Sequence, residues 1–314
     1  MALVESIGDP ALTLGLASTL ATTKFATGEM AEVLRWSQII IDLAHGDPAK
    51  GNLVIGSPLA MALATRGTAR YALGHDGWRN DLDRAATMAR GTDAWSCALV
   101  VQFVYGAGAE IGVLLADDVA LRELDEALLL AERSGDDLAL ASMWLTMGVV
   151  LMHRDSPAEH ERGLALLAQV RDLCLNGRYH LFVLRGLDVY TARERASRGD
   201  RDGALSLMRA AVKEMFDAGQ FPNCDAAIGA LVETLLDRGA DGDIDEAEAA
   251  IERLAAAQGD EGLVIRDVWL LRLRALLAHA KGDDTAYRDY RDRYRAMAET
   301  LGFEGHIAWA EAMP

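Results

Sequence analysis

Four carboxylates in one stretch carry the clearest candidate chemistry. Asp241, Asp243 and Asp245 alternate, and Glu252 follows Asp241 by eleven residues. Oxygen ligands at loop positions 1, 3, 5 and 12 are what a calcium loop requires. Position 6 is Glu246 where such a loop needs glycine, and the continuation AEAAIERL is strongly helical. A turn leading into an acidic helix start, favoured by the helix dipole, accounts for the same residues without a metal. His160-Glu161 begins a zinc-protease pair, but Leu164 stands where the second histidine belongs. Gly106, Gly108 and Gly112 imitate a dinucleotide loop with the third glycine one residue late and no strand before it. Neither a GxSxG elbow nor a glycine-rich GK(S/T) loop occurs. The expectation is a protein without catalytic residues, metal or cofactor in this chain, any catalytic group lying upstream in a longer protein. The seven histidines are scattered and expected to face solvent or be satisfied singly.

Cys97, Cys174 and Cys224 have no paired spacing and are odd in number, which argues against a zinc site and a disulfide framework. Buried free thiols in a reducing cytoplasm are expected. The net charge of −17 excludes the basic stripe that a nucleic-acid binder uses to neutralise phosphates, and it disfavours anionic lipid surfaces. Residues 98–116, ALVVQFVYGAGAEIGVLLA, reach membrane-spanning length, yet Gln102 and Glu110 interrupt them and no basic cluster flanks them. A helix buried on both sides within a stack gives the same pattern. Glu5 and Asp9 stand where an export signal would carry basic residues, so a cytoplasmic protein is expected.

Any functional side chains must be positioned by helices. The composition is 51% hydrophobic but only 6% aromatic, with six prolines, a mixture suited to closely packed helices. Helix starts fall at Asp9-Pro10, Ser57-Pro58, Asp93, Asp136, near Tyr179, at Pro222 and near Leu263, roughly 36 to 48 residues apart. Each interval holds two amphipathic segments. Ser156-Pro157-Ala158-Glu159 supplies a capping box, and Asn176-Gly177 suits a left-handed C-cap. Ala204, Leu205, Met208, Ala211, Val212, Met215 and Phe216 form one helical stripe. The six tryptophans are expected mostly as core anchors.

Around residues 185–212 the pattern resembles the tetratricopeptide repeat. With Ala192 at that family's position 8, Gly199-Asp200 fall in the turn, Ala204 at position 20 and Ala211 at position 27. Gly67 with Gly74, and Ala275 with Gly282, repeat the step from small residue to turn. These intervals are longer than the family's 34 residues. The longer pairs, with phrases such as ESIGDPAL, AERSGDDLAL, YRDRYRAMAETLGF and GFEGHIAWAEAMP, resemble the C-terminal regions of actinobacterial multidomain signalling ATPases. In those proteins a helical array follows a nucleotide-cyclase domain or accompanies a LuxR-type or MalT-like DNA-binding regulator.

The resemblance implies an all-α, right-handed α-α superhelix of about seven helix pairs, a single TPR-like domain over 1–314. Ala2–Ile7 reads as the last turn of a second helix, so the chain is expected to begin mid-repeat as the C-terminal part of a longer protein. The expected partner is a protein or peptide in the concave groove, or upstream domains of the same chain. Gln102, Tyr105, Arg185, Asp188 and Arg193 are the expected groove residues, because they lie on first helices amid apolar neighbours. A regulatory region is the leading expectation. A free-standing adaptor is the alternative, and a small-ligand receptor or helical enzyme comes third.

Overall fold

A computed structural model describes residues 10–52, 56–219, 224–257, 259–260 and 262–314. Among them the secondary structure is all-helical, without strands. The helices are α1 Pro10–Ala26, α2 Met30–Ala44, α3 Pro58–Ala72, α4 Trp78–Ala89, α5 Ala94–Val101, α6 Ala107–Glu110, α7 Asp118–Ser134, α8 Asp137–Met152 and α9 Pro157–Leu175. They continue as α10 Leu184–Ser197, α11 Arg201–Asp217, α12 Cys224–Arg238, α13 Asp243–Ala255, α14 Val264–Ala280, α15 Asp284–Leu301 and α16 Glu304–Glu311. The chain divides into two compact units, one of residues 1–110 and 115–179, the other of 111–114 and 180–314.

The expected helix starts have visible causes. Ser57 Oγ accepts the Ala60 N–H at 3.2 Å, with Pro58 in the first turn where no N–H is needed. Asp93 caps through the Ser96 N–H, Asp136 through Leu138 and Ala139, and Asp200 through Gly203. The expected starts at Asp9 and Pro222, and the segment Ala2–Ile7, lie outside the described residues. Of the capping box at Ser156, the hydroxyl does accept the Glu159 N–H, while the Glu159 carboxylate accepts from Arg154 Nε at 2.9 Å. Gly177 takes a left-handed φ of 69°, and the Gly177 and Arg178 N–H groups close the end of α9 onto Cys174 O and Leu173 O.

In the first unit α1 packs on α2, α3 on α4, α8 on α9, and α1, α3 and α5 also meet in succession. In the second unit α10 packs on α11, α12 on α13, α14 on α15, and α10, α12 and α14 meet in succession. Leu14, Ala17, Trp36, Ile40 and Ala62 form one cluster of the first unit's core, each fully buried apolar side chain contributing about 1.5–3 kcal/mol apart from the smaller alanines. Small residues set the close approaches. A Cβ on Gly67 would come within 2.6 Å of Leu82 Cδ2, and Ala192, Ala204, Ala211 and Ala275 have no exposed surface.

Polar links recur between residues about one interval apart in sequence. Gly56 N–H donates to Ser96 Oγ, 40 residues on, and Arg154 pairs with Asp118, 36 residues back. In the second unit Arg201 pairs with Asp237 (36 residues), Arg209 with Glu246 (37) and Arg238 with Asp202 (36). Those on the surface contribute at most about 1 kcal/mol each.

The apolar window 98–116 is not one helix. It comprises the end of α5, a π-helical turn over Gln102–Gly106 in which Ala107 N–H donates to Gln102 O, the short α6, and a break where Gly112 has a φ of +77°. No helix among the described residues is long and apolar enough to cross a membrane. Trp36, Trp78 and Trp269 are buried, as expected of anchors, whereas Trp95, Trp144 and Trp309 are half-buried. All three cysteines are free and buried; burial pushes the Cys97 thiol up to about 11 and Cys224 up to about 12.

Candidate functional site

The five expected groove residues divide between the two units. Gln102 and Tyr105 lie in the π-turn of the first. Gln102 Oε1 accepts from Ser142 Oγ at 3.2 Å, and that hydroxyl lies 2.8 Å from the Tyr179 hydroxyl. Gln102 therefore heads a polar chain running into the fold through α8. Tyr105 is half-buried, and burial, followed by the charge of Glu123, pushes its hydroxyl up to about 12.

Arg185, Asp188 and Arg193 lie on α10 in the second unit. Arg185 Nη1 donates to Asp188 Oδ2 at 2.7 Å, and its Nε lies 2.9 Å from Glu214 Oε2 on α11. Asp188 is only 5% exposed, so it serves as the buried acceptor that holds Arg185. Of the three, Arg193 alone is exposed.

A further polar arrangement of the second unit lies on the helices that follow. Glu233 on α12 accepts from Arg272 Nη1 on α14, 39 residues away. Burial would raise the Glu233 pKa, but the charges of Arg272 and Arg193 outweigh it and hold the carboxyl below its usual range. The Arg272 guanidinium also sits 5.2 and 5.6 Å from the ring centroids of Trp309 and Trp269. Gly229 makes room for this seam, since a Cβ there would lie 2.4 Å from Trp269. Behind it, the Tyr294 hydroxyl donates to His306 O at 3.0 Å and sits 2.9 Å from His306 Nδ1. His306 N–H donates to Gly112 O at 2.8 Å, and Glu304 N–H to Val113 O at 3.0 Å.

Chemically, the arrangement is a carboxylate–guanidinium pair edged by two indole rings. His306 is enclosed, whereas Glu233 and Trp309 are partly exposed and Arg193 is exposed. Sequence reasoning missed Glu233 and Arg272; their separation of one interval on successive first helices was the available signal. Of the two placements expected of the histidines, facing solvent or satisfied singly, His306 takes the second: it is fully buried and bonded to Tyr294.

Two of the four carboxylates of the calcium-like stretch have other engagements. Asp243 begins α13 and accepts from Arg238 Nε at 2.9 Å and the Ala240 N–H at 2.8 Å, while Glu252 accepts from Arg274 at 3.3 Å. Compared with known proteins, the chain matches no protein-family model and no curated protein.

Proposed function

We propose that this chain is a TPR-like helical-repeat scaffold, wound as a right-handed superhelix, whose first helices bind a protein or peptide and thereby regulate a cyclase, ATPase or DNA-binding domain. The observation that carries the proposal is the recurrence of polar links between residues 36 to 41 apart, which repeats from pair to pair as stacked repeats require. The succession α10, α12, α14 supports it further, because these first helices present Arg193, Glu233 and Arg272 from neighbouring elements. Their mixed charge and the flanking Trp309 suit a peptide with polar and aromatic or aliphatic anchors. The resemblance to C-terminal regions of signalling ATPases supports regulation in cis over a free-standing adaptor.

Probing native extract with an antibody against residues 284–301 reads the size of the intact polypeptide. A band several times the calculated 33.9 kDa is the expected result, and a band at that mass favours the adaptor. With the partner in hand, Arg193→Gln, which removes the charge that faces Glu233 without reversing it, should weaken binding at least about tenfold, on the order of one lost charge pair. Arg193 is a cleaner probe than Arg185, whose reversal would leave Asp188 buried beside a like charge. Unchanged affinity, or sustained turnover by the pure chain, would overturn the proposal.

A further inference from the structure

We propose that the joint between the first turns of α12 and α14 is a proton-operated latch, tight when Asp225 carries a proton and loosened when that carboxyl ionises. Asp225 is 4% exposed, and Arg266, which faces it from α14, is 8% exposed. Arg266 Nε stands 3.6 Å from Asp225 Oδ1, beyond hydrogen-bond reach, and that oxygen accepts no hydrogen bond from a described residue. The guanidinium has a firmer anchor in its Nη1, which donates at 2.8 Å to Ala257 O, just past the end of α13. Arg266 thus ties the start of α14 to the end of α13, while the start of α12 reaches it through one long ionic contact.

Other buried carboxylates in this chain are held differently. Asp81, Asp188 and Asp243 are comparably buried, and they accept bonds of 2.5 to 2.9 Å from arginine nitrogens and a backbone N–H. A buried carboxylate is costly to ionise unless such donors replace its lost water. Asp225 Oδ1 has no such donor, so the neutral form suits the closed joint better than the charged form. Burial, opposed in part by the charge of Arg266, pushes the carboxyl up to about 6.

The groups around Asp225 leave that sign unchanged. Besides Arg266 on α14, α13 brings Arg253, whose charge reaches Cys224. Burial pushes the Cys224 thiol up to about 12, so it stays neutral wherever Asp225 titrates. Helices α10 and α11 also pack on α12, and none of their described charged groups acts on the Asp225 carboxyl.

When the joint opens, water solvates the carboxyl and restores its ordinary value near about 3.9. Between that value and about 6 the closed joint holds a proton that the open joint lacks, so acid closes it and rising pH loosens it. Above that range both forms are ionised and the joint stays at its looser limit. Two units of separation correspond to about a hundredfold in the opening equilibrium. The latch works in the free chain, independently of any partner on α10, α12 and α14.

Hydrogen exchange on the full chain tests it, read as protection of the amides of residues 228–232 in Asp225→Asn and in the parent. The variant keeps the shape of the side chain and cannot ionise. The ratio of its protection to the parent's cancels the titration of every other group. That ratio should be near one at about pH 4 and rise at least about tenfold by about pH 7.5. A ratio that stays flat with pH overturns the proposal. A ratio below one at about pH 7.5 also overturns it, by showing that the ionised pair holds the joint. The carboxyl carbon resonance of Asp225 in the unsubstituted chain gives an independent reading. Its inflection is expected near about pH 6, and an inflection below about pH 4.5 overturns the proposal.

Discussion

His306 has no exposed surface and lies against the rings of Tyr294, Trp269 and Trp309. Burial, then the charge of Arg272, depresses its pKa to about 3, partly offset by the Ile111 backbone. In the unfolded chain the imidazole titrates near 6.5. Between those values the unfolded state holds a proton that the folded state lacks, so stability is complete above about pH 6.5 and declines as pH falls toward 3. The slope from this one group approaches 1.4 kcal/mol per pH unit. His306→Gln should therefore flatten the acid side of the Tm–pH curve relative to the parent chain; parallel curves for the two proteins would refute the assignment. Sequence could not reveal this burial, because it is imposed by Gly112 and its neighbours, nearly two hundred positions earlier. Asp188 escaped for a related reason. An acid amid apolar residues on a helix occupies the same phase whether it faces a groove or seals an arginine inside.

At the scale of elements, glycine separates contacts that tolerate a methyl group from those that do not. A Cβ on Gly163 of α9 would lie 3.0 Å from Gly148 O on α8, and a backbone atom cannot swing aside. Gly163→Ala should destabilise the first unit by about 1–3 kcal/mol. Gly186, in the first turn of α10, meets nothing within 4 Å, so Gly186→Ala should stabilise by about 0.5–1 kcal/mol through helix propensity. Denaturant unfolding of the two variants provides the check, and effects of the same sign would contradict this reading of the packing. The helix boundaries themselves were largely legible, because Ser57, Asp93, Asp136 and Asp200 announce their caps by residue type. The π-turn at Gln102–Gly106 was not, since its five-residue hydrogen bond leaves no distinct pattern of apolar spacing. In that turn the half-buried Gln102 accepts from Ser142 on α8.

At the scale of the molecule, the chain combines a large net negative charge with arginines distributed between successive helix pairs. Acidic side chains such as Asp118, Asp202, Asp237 and Glu246 meet arginines one interval away. The all-helical class and the roughly forty-residue rhythm were legible because both depend on local composition and punctuation. The division into two compact units was not, because it depends on Ile111–Leu114 leaving its sequence neighbours to join residues 180–314. Deleting residues 304–314 removes the N–H groups that bond Gly112 O and Val113 O and uncovers Trp269. Hydrogen exchange should then accelerate across residues 264–301 while residues 118–175 keep their protection, each lost buried bond costing about 1–3 kcal/mol. Uniform acceleration over both regions would contradict the division.

The same four residues impose a schedule on synthesis. A ribosome makes Gly112 long before it makes His306, and at about 5–20 residues per second the interval is on the order of ten seconds or more. Throughout that time the Gly112 and Val113 carbonyls lack their final donors, and the second unit cannot close however quickly its own helices form. A nascent chain stopped before residue 304 thus holds the apolar segment Ile111–Leu114 without the two hydrogen bonds that Glu304 and His306 give it in the folded protein.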